Sequence, residues 1–199
     1  SPLIVAAHPS FPPNTVNELI VLAKAKPGQL NCTIGTIGSL THMALELFKS
    51  MAGVKIETIA YKGSAPALTA LLGGHVPIMF STLVNLAPHI KAGKLKPLAV
   101  TSVKRTEIFP DVPAMAEFLP GFDAYSWFAF WGPARMPKET VTRLNNEIVK
   151  ALRSPELQKQ FKDQYVEVIG NSHEEFASYE KSERARWGKV IKDFGIQLD

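Results

Sequence analysis

The chain of 199 residues is 46% hydrophobic and 20% charged, with a formal net charge of +4. That is the balance of an ordinary globular chain, long enough for one sizeable domain or two small ones. No apolar run approaches the ~18 residues of a membrane-spanning helix, and Cys32, the one cysteine, excludes an internal disulfide framework and a thiolate metal cluster.

Lys and Arg are interleaved with Asp and Glu, above all between Lys138 and Lys192. This reads as solvated helix faces and not as a nucleic-acid surface. A mild positive charge still favours anionic ligands. Ser1–Ala7 holds no charge and no initiating Met, so it does not read as a signal peptide, although a trimmed chain would have lost one.

In chain order, Leu3–His8 predicts a strand, ended by Pro9 and the Pro12-Pro13 pair. A helix follows over Val16–Ala25, with Thr15 and Glu18 in capping-box spacing and Val16, Leu19, Ile20 and Ala23 on the buried face. Pro27-Gly28 stops it. Leu30–Ile34 predicts a strand that contains a buried Cys32, and Ser39–Met51 a helix closed by Gly53. Val54–Tyr61 alternates as a strand and leads through Lys62-Gly63-Ser64 into a helix over Ala65–Leu72. Val76–Phe80 is the next strand, Ser81-Thr82 a polar turn, Val84–Ala92 a helix and Leu95–Thr101 a strand.

The alternation β–α–β–α–β–α–β with short turns predicts a mostly parallel sheet flanked by helices. Such sheets bind ligands outside the carboxyl ends of their strands. Three polar turns should meet there: Gly35–Thr41, Tyr61–Ser64 and Ser81–Thr82. The first is the most informative. Gly35 and Gly38 permit close approach to the main chain. Ser39 and Thr41 are candidate N-caps whose hydroxyls are free to point outward. The unpaired N–H groups of a helix start suit a carboxylate or phosphate. No Lys follows the second glycine, so this is neither a Walker A loop nor a dinucleotide fingerprint. Taken by its spacing alone, the stretch also fits a plain β–α turn.

Beyond Lys104 the alternation fades. Pro110, Pro113 and Pro120 punctuate a loop with a short helix near Ala114–Phe118. Tyr125–Gly132 reads as an aromatic strand, for core or inter-lobe packing before ligand stacking. Helices follow over Lys138–Leu152, Pro155–Lys162 (capped by Ser154) and His173–Phe194, with a short strand over Tyr165–Ile169. The expected division is an α/β ligand-binding lobe over residues 1–124, and over 125–199 a hinge strand with helices that lack a sheet to lie on.

Several runs carry a family resemblance. They include Val21–Asn31, Gly38–His42, Glu46–Lys49, Tyr61–Leu68, Leu71–Gly74, Pro88–Leu95, Leu98–Ser102, Pro110–Pro113, Pro120–Phe122, Ser126-Trp127 and Arg186–Lys189. Together they resemble the periplasmic solute receptors of tripartite tricarboxylate transporters, the Bug or TctC family. The resemblance implies a type II periplasmic-binding-protein-like α/β fold of two lobes, joined by crossover strands that here would be Leu3–Ala7 and Tyr125–Gly132. Family members extend further on the amino-terminal side, so the chain resembles the second lobe plus the carboxyl-terminal helices of an incomplete first lobe.

The implied function is capture of a small carboxylate in the periplasm and its delivery to membrane permease subunits. No cofactor, metal or nucleic acid is implied. The contacts carried over are Gly38, Ser39 and Thr41, with His42 behind them orienting the loop. Tyr61, Gly63 and Ser64 come second, Lys62 screens the anion or is simply solvated, and Ser81 and Thr82 complete the set. Many relatives have Asp-Asn where this chain has Ser81-Thr82, which makes an amino-acid ligand less suited to it. Relatives also often have Gly at the place of Thr36. An incomplete lobe leaves apolar faces uncovered, which predicts dimerisation or a swapped segment.

Two other classes are weighed against this reading. An effector-sensing domain of a transcription regulator would need a helix-turn-helix, and none is visible. An enzyme could draw on Ser39, Ser64, Ser81 and His42. However, there is no Gly-x-Ser-x-Gly elbow, no metal-ligand spacing and no acidic partner for His42 at the strand ends.

Overall fold

The computed structural model describes residues 1–194. Five strands form one sheet: β1 (Leu3–Ala7), β2 (Asn31–Ile34), β3 (Glu57–Ala60), β4 (Ile78–Thr82) and β5 (Lys96–Val100), in the order β3-β2-β4-β1-β5. β2 runs parallel to β3 and to β4, so the carboxyl ends of these three share an edge. β1 runs the other way between β4 and β5. Leu3 lies opposite Thr82, which places the start of β1 at that same edge.

The helices follow the apolar spacing of the sequence. They are α1 (Val16–Ala25), α2 (Leu40–Ala52), α3 (Ser64–Leu72), α4 (Leu83–Lys91), α5 (Lys138–Leu152), α6 (Pro155–Asp163) and α7 (His173–Phe194). Thr15 caps α1 by accepting the Glu18 N–H at 3.2 Å, while the Glu18 carboxylate reaches back to the Asn14 N–H and not to that of Thr15. Gly53 ends α2 in the left-handed region, φ 62°, a conformation that costs a side chain strain.

The chain divides into two compact units. The first is Ser1–Ser126 with the residues from Val190, and the second is Trp127–Lys189. The first holds a dry core. All five residues of β1 are fully buried, with Leu19, Leu45, Phe48, Leu71, Phe80, Leu83 and Phe122 around the sheet. Phe48 and Phe80 meet with ring centroids 5.9 Å apart. Cys32 is fully buried, and burial pushes its thiol pKa up, so it is an inert apolar side chain. Thr101 ties the start of β1 to the end of this unit. Its hydroxyl accepts the Leu3 N–H at 2.8 Å and donates to the Ala124 carbonyl at 2.6 Å.

The second unit packs aromatic rings instead of a sheet. Trp127 stands edge-on to Phe176 and Tyr179, with centroids 5.7 and 5.9 Å away, and Trp131 lies 5.5 Å from Phe176. α5 and α6 bury no residue at all.

Leu3–Ala7 is a strand, as the sequence predicts, and lies inside the sheet. Two expectations are corrected. Tyr125–Gly132 is not a strand: Tyr125 makes a single bridge to Pro2, and Phe128 and Phe130 beyond it are 84% and 76% exposed. Aromatic β-propensity forms no strand without a neighbour to share its ladder. Tyr165–Ile169 is not a strand either. Tyr165 takes φ 61° and closes α6, with the Val166 N–H bonded back to the Phe161 carbonyl at 2.8 Å.

Candidate functional site

The shared edge of β2, β3 and β4 is where three helices begin. α2 follows β2 through Gly35–Ser39, α3 follows β3 through Tyr61–Gly63, and α4 follows β4 directly. The first two turns touch. Gly63 N–H donates to the Gly35 carbonyl at 2.9 Å, and a Cβ on Gly35 would lie 3.1 Å from the Ser64 nitrogen. Gly35 thus sits where two backbones approach closely, and a side chain there would crowd the start of α3. Gly63 stands at φ 109°, which demands glycine.

Ser39 caps α2, but its hydroxyl is not free to point outward, contrary to the expectation from sequence. It donates to the Thr36 carbonyl at 2.6 Å and accepts the His42 N–H at 3.4 Å. With its one proton so used, it takes the Thr41 hydroxyl proton at 2.9 Å. Gly38 (φ 75°) turns its N–H inward too, onto His42 Nδ1 at 3.0 Å. What remains outward is the main chain of the first helical turn. The Leu40 and Thr41 N–H groups precede the first intrahelical bond, made by Met43 to the Ser39 carbonyl, and find no partner among the described residues.

His42 is buried. Because Nδ1 accepts from Gly38, the proton of the neutral ring sits on Nε2, 3.5 Å from Glu46 Oε1. Glu46 is the acidic partner that the strand ends do not supply. It lies one turn further along α2, a spacing of four residues that was visible in the sequence. Lys49 (2.7 Å) and Thr58 of β3 (3.1 Å) also donate to Glu46 Oε1. Burial lowers the His42 pKa, Glu46 opposes this and Lys49 adds to it.

The remaining candidates divide. Ser64 is exposed at the first residue of α3, and Tyr61 and Gly63 are half-buried beside it, with Lys62 exposed between them. Ser81 and Thr82 are not a turn but the last two residues of β4. Ser81 is 2% exposed, and its hydroxyl accepts from the Asn85 amide at 3.2 Å. Thr82 is half-buried and precedes α4 without a side-chain cap bond.

The charge pattern of the helix starts is the feature that sequence spacing did not reveal. An acid in the first turn of a helix is favoured by the macrodipole. Glu18, Glu139, Glu156 and Glu174 supply it to α1, α5, α6 and α7. α2, α3 and α4, the three helices that start at the shared edge, have none. α1 starts at the opposite edge, where Lys96 at the start of β5 bonds Asn14 at 2.8 Å. The shared edge is thus lined by helix starts whose partial positive charge has no internal counter-charge in their first turns.

Residues 1–196 match the family described as the tripartite tricarboxylate transporter family receptor, TctC. The chain belongs to this receptor family. BugT of Bordetella pertussis is 33% identical over 198 residues, 99% of this chain and 61% of that protein. The chain spans about three fifths of the length of the curated relatives it matches most strongly. Among solved structures, R. palustris Rpa4515 with adipate superposes with a TM-score of 0.89 at 36% identity, over 98% of this chain and 66% of that one. The periplasmic binding protein BugD gives 0.86 at 32% identity, over 100% and 67%. The α/β periplasmic-binding-protein-like fold expected from the sequence is therefore the fold of the chain. Among the described residues, no group of three or more His, Cys, Asp or Glu side chains comes together to hold a metal.

Proposed function

We propose that this chain is the ligand-recognising part of a periplasmic receptor that captures a small carboxylate for a tripartite tricarboxylate-type permease. The observation that carries this is the edge where α2, α3 and α4 all begin without an acidic first turn. An anion placed there meets the Leu40 and Thr41 N–H groups and the starts of three helices. The exposed Ser64 adds an adaptable polar contact, and Thr82 closes the set from β4, while the Thr41 hydroxyl proton is held by Ser39. Gly38, Ser39 and His42 act one layer back, because their polar atoms already hold the turn.

Residues 1–124 serve as the ligand-binding lobe, and 125–199 as the link and helices of the other lobe. The adipate in the Rpa4515 structure supports a dicarboxylate as the first ligand class to try. The reaction is binding and release without turnover. Among the described residues, no hydroxyl at the edge is paired with a free base, since the His42 Nδ1 lone pair is committed to Gly38.

The experiment is a thermal-shift screen of the chain against mono-, di- and tricarboxylates, with amino acids alongside. A ligand that binds the native state alone raises the melting temperature by mass action. The expected result is a saturable rise with a carboxylate and none with amino acids. No rise with any carboxylate, from a cooperatively melting chain, would contradict the proposal.

A further inference from the structure

The polar network behind the α2 turn does more than pair surface charges. The Glu46 side chain is 15% exposed and receives contacts from two elements, from His42 and Lys49 on α2 and from Thr58 on β3. We propose that Glu46 is a positioning residue for the ligand turn: it holds the Nε2–H tautomer of His42, whose Nδ1 then fixes the Gly38 N–H and the path of Gly38–Thr41. The inference rests on the carboxylate reading for its link to ligand binding, but not for its geometry.

The argument is one of donors and acceptors. A neutral imidazole has one donor and one acceptor. Gly38 requires the acceptor to be Nδ1, so Nε2 must carry the proton and face an acceptor of its own. Glu46 Oε1, 3.5 Å from Nε2, is the acceptor that faces it, and it is itself pinned by Lys49 and Thr58. Removing Glu46 frees the ring to exchange tautomers, and the Nδ1–H form sets two donors against each other at Gly38. Protonating His42 does the same. The charged groups acting on the ring are Glu46 and Lys49, both from α2, while β3 contributes the uncharged Thr58. Acid therefore releases the turn, and carboxylate binding weakens even though the ring has become cationic. A direct charge contact between His42 and the ligand would instead strengthen binding in acid.

The test uses the full chain, isotope-labelled for imidazole and amide NMR. In the wild type the His42 ring should be the Nε2–H tautomer, and the Gly38 amide should shift with the His42 midpoint as pH falls. Glu46→Leu should mix the tautomers, move the Gly38 amide and weaken adipate binding about fivefold, the size of one hydrogen bond. Glu46→Gln, which keeps the acceptor, should restore the tautomer and most of the affinity.

An Nδ1–H wild-type ring, or a Gly38 amide indifferent to His42 protonation, overturns the proposal. So does a folded Glu46→Leu chain with wild-type adipate affinity. If Glu46→Leu does not fold, the wild-type acid titration decides. The NMR readouts need no ligand. A chain that shows them without binding adipate supports the relay and counts against the carboxylate reading alone.

Discussion

The two units of this chain solve the same problem in opposite ways. In the first, the core is dry, although Val21, Ile37, Val84 and Val103 stand 43–67% exposed, and three of the four helix starts carry no acid. β1 is wholly buried, yet α2, α3 and α4 begin with no acid of their own. In the second, helix starts are satisfied and apolar side chains are left bare. Glu139, Glu156 and Glu174 occupy the first turns of α5, α6 and α7, while Phe128, Phe130, Trp131 and Ile169 stand 67–84% exposed. Unmet electrostatics marks where a small anion goes, and unmet hydrophobic surface marks where protein goes. The proposed ligand edge therefore falls in the first unit, and the most exposed aromatic rings fall in the second.

The contrast can be broken by substitution. The largest effect is expected at Phe48, which fills the first core against Phe80. Phe48→Ala should cost about 3–5 kcal/mol, read from urea unfolding followed by exchange of the β1 and β4 amides. A loss below 1 kcal/mol, the scale of a tolerant surface site, would mean that the core is not the scaffold described. Gly35→Ala is next, because its Cβ would crowd the Ser64 backbone at 3.1 Å. About 1–3 kcal/mol of strain should appear there, together with weaker carboxylate binding. Ser39→Ala removes the cap of α2 and should cost about 1 kcal/mol. At the small end, Phe128→Ser should change stability by no more than about 0.5 kcal/mol. It should also reduce any self-association seen by light scattering.

A pH series sharpens the same comparison. The folded pKa of His42 lies below its ordinary 6.5, so the unfolded chain takes up this proton first as the solution is acidified. The contribution of His42 to stability is fully present above that value and is lost as pH falls through the folded pKa. His42→Gln should flatten that part of the melting profile. An unchanged slope would show that the ring is not held neutral.

Most of this fold was legible in the sequence, because helices declare themselves locally. Periodicity and caps placed α1, α5 and α7 at their observed bounds, and Thr15 and Ser154 cap as their spacing suggests. Strands were less secure, since a ladder depends on a partner elsewhere in the chain. Tyr125–Gly132 has the composition of a strand but, beyond the one bridge at Tyr125, no ladder among the described residues. Ser81-Thr82 looked like a turn but is carried into β4 by pairing with Ile4 and Leu3.

At the site, residue types identified the α2 turn, but not which groups face outward. Ser39 and Gly38 spend their donors on Thr36 and His42, a choice made by local geometry and not by composition. Glu46 was readable at four-residue spacing from His42. Thr58 was not, because it reaches Glu46 only through the sheet.

The most direct test of the central claim is an amide NMR titration of the chain with adipate. The account predicts saturable shifts centred on Leu40, Thr41 and Ser64, with Thr82 alongside and the amides of α5 and α6 unmoved. Shifts centred on the polar groove of the second unit, at Asn145, Asn146, Lys150 and Arg153, would contradict it, as would no shift at any amide.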